Sequence, residues 1–404
     1  MSLSTVDVVV VGAGQAGLAV SYELTAASVE HVVLERGLVG QSWRDRWDSF
    51  CLVTPNATIK LPGGRYRGDD PNGFLPKEEL VSHFEGWSSS FNAPVREGVA
   101  VTSLERVDDG GFRLRTTEGD LNARSVVVCT GAYQRPHRAA VLSPGRLTEL
   151  DADDYKNEAA LPPGKVLVVG SGQTGCQIAE ELHAAGRDVV LSCGRAPWAP
   201  RRPGGRDVIL WLIDAGFYDQ PASDLASPAA RLVANVQATG RNGGYDLNVR
   251  TLREAGVTLA GRLIGAEDGR LHFASDLGDS VAFGDARFAE VRRLILDHCA
   301  RSDVDPPEFP DAPPFDPVAP ERLDLDDFGV ILHTSGFRPD YRTWMHVDAF
   351  DDIGFPLQTD GASSTVPGLY FCGVHFLRKR KSSLLMGVGE DAAIVAETIA
   401  TRRS

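Results

Sequence analysis

The most constraining feature of the sequence is a glycine-rich turn near the N-terminus, flanked by two apolar segments. An apolar run at 6–11 predicts a buried strand, and the motif GAGQAG at 12–17 predicts a turn that leads into a helix. A second apolar segment at 31–34 ends at Glu35. This order is typical of a strand–helix–strand unit that binds a dinucleotide.

The glycines of this motif have separate steric roles. Gly12 permits the tight turn, Gly14 lets the backbone approach a pyrophosphate, and Gly17 lets the helix lie close to the strand. The phosphates would face the positive end of the helix dipole and its free N–H groups. Glu35 can accept hydrogen bonds from a ribose diol. The predicted contacts of this first cofactor are Gly12, Gly14, Gln15, Gly17, Glu35 and Arg36.

The same pattern returns at 165–195, and the two copies align without a gap. The positions that correspond to the first motif are Gly170, Gly172, Gln173 and Gly175. Where the first copy has Glu35, the second has Cys193. Since a carboxylate there would repel a 2′-phosphate, its absence favours NADP(H) over NAD(H). Three nearby arginines strengthen this prediction, unless they merely cover a loop: Arg195, Arg201 and Arg202.

Two dinucleotide sites in one chain imply a flavin and a nicotinamide that pass hydride between them. The predicted fold is therefore α/β, with two Rossmann-like domains. We expect 1–160 to form the first part of an FAD domain, 161–320 an inserted NAD(P)H domain, and 321–404 the second part of the FAD domain. The length of 404 residues suits two domains with full cores.

Composition excludes several classes of function. A net charge of −14 argues against nucleic-acid or anionic-membrane partners. No segment approaches the ~20 apolar residues that a membrane helix needs. The N-terminus leads directly into a strand, so we expect no signal peptide. The six cysteines show no CxxC spacing, which predicts reduced thiols and a cytoplasmic protein.

Further candidates follow the first motif. Trp43 could flank a flat ring, although core packing is an equal alternative, and Asn56 lies in a turn-rich stretch where its amide could reach a cofactor. A basic run at 378–381 is either a solvated loop or a place where Arg380 or Lys381 faces a phosphate. Small residues at strand ends or near a helix start are predicted to lie close to a cofactor: Thr130, Gly131, Gly336, Gly373 and Gly387.

Together these segments resemble the class B flavoprotein monooxygenases, which include the flavin-containing monooxygenases, the plant YUCCA-type enzymes and similar bacterial flavoproteins. The resemblance covers nearly the whole chain. It implies FAD and NADP(H) as cofactors, Trp43 near the flavin and Asn56 as the active-site asparagine. The stretches that carry it are GAGQAG at 12–17 with Glu35, RWDSFCLVTPN at 46–56, VVVCTG at 126–131, GSGQTG at 170–175, TSGFRPD at 334–340, VPGLYFCGV at 366–374 and RKSSLLMGVGEDA at 380–392.

One departure from the family concerns the fingerprint FxGxxxHxxxY, which should precede the second glycine loop. The corresponding stretch is GRLTELDADDY at 145–155. Tyr155 is kept, but Gly145, Leu147 and Asp151 stand where Phe, Gly and His are expected. Because this stretch joins the two predicted domains, we expect weaker coupling and some loss of reduced cofactor to hydrogen peroxide.

The resemblance implies an NADPH-driven monooxygenase in which reduced flavin adds O₂ at C4a and the hydroperoxide transfers one oxygen atom to a small organic substrate. N-oxygenation, S-oxygenation and hydroxylation all remain open. One alternative is a flavin-dependent NAD(P)H oxidase or thiol peroxidase that uses Cys51. Others are Baeyer–Villiger oxygenation and a non-catalytic redox sensor. The sequence is compatible with a homodimer but does not indicate one.

Overall fold

Both glycine loops join a buried parallel strand to a helix, as the sequence predicts. The computed structural model describes residues 5–108, 110–139 and 147–402. Strands and helices alternate there around two main sheets, so the predicted α/β class is confirmed. The α-helices in these ranges are α1 (Gln15–Ala26), α2 (Gln41–Arg44), α3 (Lys77–Ser90), α4 (Gln173–Ala184), α5 (Val208–Asp214), α6 (Val249–Ala255), α7 (Leu277–Ser302) and α8 (Val388–Thr401).

Most of the strands are short, and the longest lie at the centres of the sheets. In chain order they are β1 (Thr5–Val11), β2 (His31–Leu34), β3 (Lys60–Leu61), β4 (Gly64–Arg65), β5 (Val95–Arg96), β6 (Val101–Arg106), β7 (Phe112–Thr116), β8 (Gly119–Val128), β9 (Arg135–Pro136), β10 (Thr148–Asp151), β11 (Lys165–Val169), β12 (Val189–Ser192), β13 (Thr258–Ala260), β14 (Leu263–Glu267), β15 (Arg270–Phe273), β16 (Arg322–Asp324), β17 (Phe328–His333), β18 (Phe337–Arg338), β19 (Met345–His346), β20 (Gln358–Thr359), β21 (Ala362–Ser363) and β22 (Leu369–Phe371).

The first sheet is built around β1, which pairs in parallel with β2 and β8. Its order is β19-β6-β7-β8-β1-β2-β5, and β22 also pairs with β8. The valines at 8–11 in β1 and at 126–128 in β8 are buried because both faces of the sheet are covered. On one face α1 contacts α8, which brings the C-terminal helix beside the first glycine loop.

The second sheet has the order β10-β17-β11-β12-β13, with every strand parallel to its neighbours. The antiparallel sheet β14-β15-β16 packs on one face, where Leu271 and Phe273 contact Leu167 and Ile331. Helices α4 and α6 contact each other on the opposite side. No described helix is both long enough and apolar enough to cross a membrane.

The position of β17 bears on the predicted domain bounds. This strand falls within 321–404, the predicted second part of the FAD domain, and it lies between β10 and β11 in the second sheet. An apolar run predicts a buried strand but does not say which sheet it joins. Because β10 and β17 both lie outside 161–320, the domain bounds at 160 and 320 remain a prediction.

The closest backbone contact in the first unit predicts the effect of one substitution. A Cβ at Gly17 would lie 1.7 Å from the carbonyl oxygen of Gly12, so Gly17→Ala must separate α1 from its loop. We expect a loss of stability on the order of 4 kcal/mol or more, measured by chemical denaturation. Gly86→Ala is the matched control, because Gly86 is exposed on the outer face of α3 with no atom within 4 Å of its Cβ position. Equal denaturation midpoints for the two variants would contradict this account.

Candidate functional site

The first glycine loop is held by backbone contacts and leaves open space at its centre. Gly12 has φ +101°, and a Cβ there would lie 2.7 Å from the carbonyl oxygen of Cys129. Its N–H donates to the carbonyl of Leu34 at 2.8 Å. Gly14, by contrast, has no atom within 4 Å of its Cβ position. Since α1 also begins without a side-chain cap, its first N–H groups are available to an anion above Gly14.

Glu35 is oriented by the loop that it faces. Its carboxylate is buried and accepts the N–H of Ala13 at 2.7 Å and that of Gly37 at 2.9 Å. Each carboxylate oxygen can accept more than one hydrogen bond, so a ribose diol can still bind. Arg36 is exposed beside it. The loop and the acid therefore form the arrangement that the predicted first cofactor requires.

A chain of side-chain contacts connects this loop to two other parts of the molecule. The indole Nε1 of Trp43 donates to Oε1 of Gln15 at 3.1 Å, and Nε2 of Gln15 donates to the carbonyl of Ser383 at 3.2 Å. Trp43 also stacks on Phe84, with ring centroids 6.3 Å apart. Gln15 thus joins the first loop to α2 and to the segment that precedes α8.

The second glycine loop repeats the first. Gly170 has φ +113°, and a Cβ at Gly175 would lie 1.8 Å from the carbonyl oxygen of Gly170. Gly172 has no atom within 4 Å of its Cβ position, and Gln173 begins α4 without a side-chain cap before it. The loop also borders a small cleft, whose lining includes Ser171, Cys193, Gly194, Gln237 and Arg250. This surface is suited to a second nucleotide.

The strand end in the second unit has no counterpart to Glu35. Cys193 is buried there, and burial raises the pKa of its thiol to about 12. The hydroxyl of Ser171 instead holds the loop to this strand end, since it donates to the carbonyl of Gly194 at 3.1 Å and accepts its N–H at 3.0 Å. Arg195 is exposed beside them, with its guanidinium 5.9 Å from the ring centroid of Phe283. It can therefore reach a phosphate on a bound nucleotide.

Arg201 does not occupy the place predicted for it. It is 2% exposed and forms an ion pair with Asp207 at 2.7 Å, while its Nη1 donates to the carbonyl of Val53 at 2.9 Å. Its guanidinium also lies 4.6 Å from the ring centroid of Phe74. The prediction that Arg201 contacts a 2′-phosphate is thus corrected, because its guanidinium is buried and already contacts Asp207, Val53 and Phe74. Arg202 is exposed and donates to the carbonyl of Gly243 at 2.6 Å.

The predicted small residues lie at chain turns. Gly131 and Gly336 have φ +84° and +86° with no atom within 4 Å of either Cβ position. Gln134 donates to Oγ1 of Thr130 at 3.0 Å and accepts the N–H of Asp340 at 2.6 Å, which joins the two turns.

The other two predicted glycines lie near the ends of α1 and α8. A Cβ at Gly373 would lie 2.5 Å from that of Ala16 in α1. Gly387 precedes α8, and its Cβ position lies 2.4 Å from Cγ of Lys381. Both positions therefore need glycine for packing.

Asn56 is buried and holds a neighbouring loop. Its Nδ2 donates to the carbonyl of Asp70 at 2.9 Å, and its Oδ1 accepts the N–H of Leu75 at 2.7 Å. A planar amide can make further hydrogen bonds, so one N–H and one lone pair remain. Its segment contacts both other parts of the site, through Arg201 at Val53 and through the N–H of Lys60 to the carbonyl of Leu385 at 3.1 Å.

The altered fingerprint retains one clear connection. The hydroxyl of Tyr155 donates to Oε1 of Glu181 on α4 at 2.7 Å, and Ser49 donates to the other oxygen. Asp151 accepts two hydrogen bonds from Arg138, at 2.9 Å and 3.2 Å. Leu147 is partly buried, and Gly145 lies outside the described residues. Tyr155 therefore joins the stretch at 145–155 to α4.

Several side chains that were not predicted as site residues lie around Ser383, in the segment before α8. His375 contacts Oγ of Ser383 through Nδ1 at 3.0 Å, and burial lowers its pKa to about 4, so the ring is neutral at pH 7. The ring of Tyr133 packs edge-on against His375, and the guanidinium of Arg46 lies 5.4 Å from the Tyr133 centroid. Arg46 and Ser383 lie in stretches that carry the family resemblance, whereas Tyr133 and His375 lie outside them, and their contacts are with residues distant in the chain.

All six cysteines are free and buried. Burial raises the pKa of Cys51, which disfavours the reactive thiolate at neutral pH. Among the residues that the structure describes, no group of His, Cys, Asp and Glu is suited to a metal ion.

Comparison with known proteins agrees with this arrangement. Residues 9–212 match the family described as pyridine nucleotide-disulphide oxidoreductase. An uncharacterized CzcO-like oxidoreductase of Geobacillus kaustophilus is 29% identical over 98% of both chains. The indole-3-pyruvate monooxygenase YUCCA1 of Oryza sativa subsp. japonica is 30% identical over 45% of this chain and 47% of its own. A flavin-containing monooxygenase structure from Stenotrophomonas maltophilia covers all of both chains, with a TM-score of 0.68 and 17% identity.

The open space above the two central glycines allows a paired test. Gly14→Ala and Gly172→Ala should both fold, since neither Cβ meets an atom within 4 Å. Each new methyl group would enter the space for the nucleotide of its own loop. Gly14→Ala should therefore lower the flavin content of the protein, and Gly172→Ala should lower only its affinity for the nicotinamide nucleotide. Flavin absorbance per protein and an anaerobic NADPH titration measure the two effects. If Gly14→Ala keeps a full complement of flavin, the assignment of the first loop is wrong.

Proposed function

The chain belongs to the pyridine nucleotide-disulphide oxidoreductase family, and on that premise we propose that it is an FAD-dependent, NADPH-driven monooxygenase acting on a small organic molecule. Its resemblance to the class B flavoprotein monooxygenases and its class, an NAD(P)H-dependent flavin oxidoreductase, are confirmed by the similarities above. In this proposal the chain binds FAD and NADP(H). It transfers one oxygen atom of O₂ to the substrate by N-oxygenation, S-oxygenation or hydroxylation.

The observation that carries the proposal is a pair of open glycine loops in a chain whose six cysteines form no disulfide. In the first unit the second strand is followed by Glu35, which suits the ribose of FAD. In the second unit the corresponding strand is followed by Cys193, with Arg195 nearby, which suits NADP(H). No CxxC motif is present that could serve as the redox-active thiol pair of a disulfide reductase. This supports O₂ as the electron acceptor in the proposed reaction.

Bound flavin supplies the redox chemistry, since it accepts hydride from the nicotinamide and passes electrons to O₂. The protein has to orient the two rings and exclude water. Gln15 holds Trp43 and the carbonyl of Ser383 at the first loop, so that α2 and the segment before α8 enclose the same space. Asn56 lies in the segment whose Lys60 contacts Leu385, and its amide retains an N–H that can donate to a reacting oxygen.

The thiol peroxidase alternative is disfavoured by the state of Cys51. Its thiol is buried and its pKa is raised, so little thiolate is present at neutral pH to attack a peroxide. The rice relative is named for indole-3-pyruvate, a small oxo acid. A substrate of this class is compatible with the small-molecule activity proposed here.

Coenzyme preference provides a test of the second site. Arg195→Ala should weaken NADPH binding by about tenfold to a hundredfold, because one charge-assisted contact to the 2′-phosphate is lost, and should leave NADH binding unchanged. Arg202→Ala shows whether the second exposed arginine shares this role. The measurement is the rate of anaerobic flavin reduction against the concentration of each coenzyme. A wild-type preference for NADH would overturn the assignment of Cys193 and Arg195.

The fate of the electrons provides a second test. When NADPH-reduced enzyme is mixed with O₂, Asn56→Ala should release hydrogen peroxide faster than wild type, because a donor to the reacting oxygen is missing. Cys51→Ser should match wild type, since no thiol takes part. Circular dichroism and flavin content are checked first, as Asn56 also holds the loop at 70–75. Loss of NADPH-dependent turnover in Cys51→Ser alone would favour the thiol peroxidase.

A further inference from the structure

One peptide bond of the second glycine loop is held by a side chain from a distant part of the sequence. Nε2 of Gln237 donates to the carbonyl of Ser171 at 2.6 Å and to Sγ of Cys176 at 3.2 Å. Since only the NH₂ end of a glutamine amide can donate to a carbonyl, this contact fixes the orientation of the amide. Gln237 and Ser171 are both buried, and both line the small cleft beside the loop.

The direction of this carbonyl decides where the next N–H group points. A peptide unit is planar and trans, so its C=O and N–H groups point in opposite directions. Because the carbonyl of Ser171 is directed at Gln237, the N–H of Gly172 is directed away from it. Gly172 faces open space, and its N–H donates to no acceptor in the described part of the chain. The hydrogen bond at one end of the peptide therefore orients a free donor at the other end.

The first glycine loop has an equivalent contact, made by a different kind of donor. Ala13 has the position in the first motif that Ser171 has in the second. The carbonyl of Ala13 accepts the backbone N–H of Gly40 at 3.0 Å, immediately before α2. Each loop thus has one donor from outside it at the same carbonyl. The recurrence indicates that the orientation of this peptide is what both loops require, and in the second loop a substitution can remove the donor.

Gln237 is itself held in place by its own segment. Its backbone N–H donates to the carbonyl of Pro197 at 2.9 Å. Further along the segment, a Cβ at Gly240 would lie 1.9 Å from the carbonyl oxygen of Leu52, so the two backbones are in direct contact. The amide of Gln237 is therefore fixed when the chain folds. Such preorganisation means that a ligand of the loop does not bear the entropic cost of ordering this peptide.

We propose that Gln237 is a positioning residue for the coenzyme: it fixes the Ser171–Gly172 peptide so that the N–H of Gly172 can donate to the pyrophosphate of the nicotinamide nucleotide. This inference rests on the proposed function, which assigns that nucleotide to the second loop. The pyrophosphate is common to NADP(H) and NAD(H), so Gln237 should act on both coenzymes equally. Arg195, by contrast, is proposed to contact only the 2′-phosphate.

The test measures coenzyme binding to the oxidised, FAD-loaded enzyme and does not depend on turnover. Calorimetric titrations with NADP⁺ and with NAD⁺ compare wild type and Gln237→Met, whose side chain has a similar length but no N–H donor. The variant should bind both coenzymes more weakly by the same factor, about fivefold to twentyfold, because one oriented donor is lost. Gln177→Met is the matched control and should bind like wild type. Gln177 is an equally buried glutamine on α4, and within the described residues it forms no hydrogen bond to the loop.

Phosphorus NMR of bound NADP⁺ separates a change at the pyrophosphate from a general loosening of the site. In Gln237→Met the pyrophosphate resonances should shift from their wild-type positions, whereas the 2′-phosphate resonance should not. Gln237→Asn retains a polar amide but is one methylene shorter, so it should show the same loss of affinity if the methionine variant folds poorly. Thermal unfolding and flavin content are measured for every variant.

The outcomes separate this role from the proposed function. If the Gln237 variants keep wild-type affinity, lose it for one coenzyme only, or lose no more than Gln177→Met does, the positioning role is wrong. Wild-type enzyme that binds neither coenzyme would overturn the role and the second nucleotide site together. If binding depends on Gln237 but NADPH and O₂ yield no oxygenated product from any substrate, the role stands and the monooxygenase function fails.

Discussion

The structure depends on a backbone contact in which each glycine loop packs directly on the first turn of its own helix. The Cβ positions of Gly17 and Gly175 lie within 2 Å of a carbonyl oxygen in the facing turn, so only hydrogen fits there. This approach aligns the start of each helix with the strand before it. The central glycines, Gly14 and Gly172, are left facing open space. This geometry makes the N–H groups at the start of each helix available to an anion.

The two units share this contact but differ in how the loop is attached to the second strand. In the first unit, the carboxylate of Glu35 accepts the N–H of Ala13. In the second, Ser171 bonds to Gly194 and no acid follows the strand. One loop therefore carries a negative charge at the ribose position, and the other leaves that position open to a phosphate. We propose that this exchange of residue type selects a different ligand in each unit.

The segment at 380–387 connects the parts that the glycine loops leave separate. Its carbonyl groups accept from Gln15 and from the N–H of Lys60, and its side chains pack against Phe217 and Tyr218. Within this segment Lys381 forms ion pairs with Asp219 and Glu390, whereas Arg380 donates to the side-chain oxygen of Gln220.

The sequence by itself determined the two strand–helix–strand units, their glycines, Glu35 and the contrast at Cys193, because periodicity and turn chemistry are local properties. It also indicated the family from motifs spread over nearly the whole chain. Only the tertiary structure decided that β17 joins the second sheet, that Arg201 is buried against Asp207 and Val53, and that Arg380 donates to Gln220. These facts depend on which distant segments meet, and a charge shows its role only when its neighbours are known.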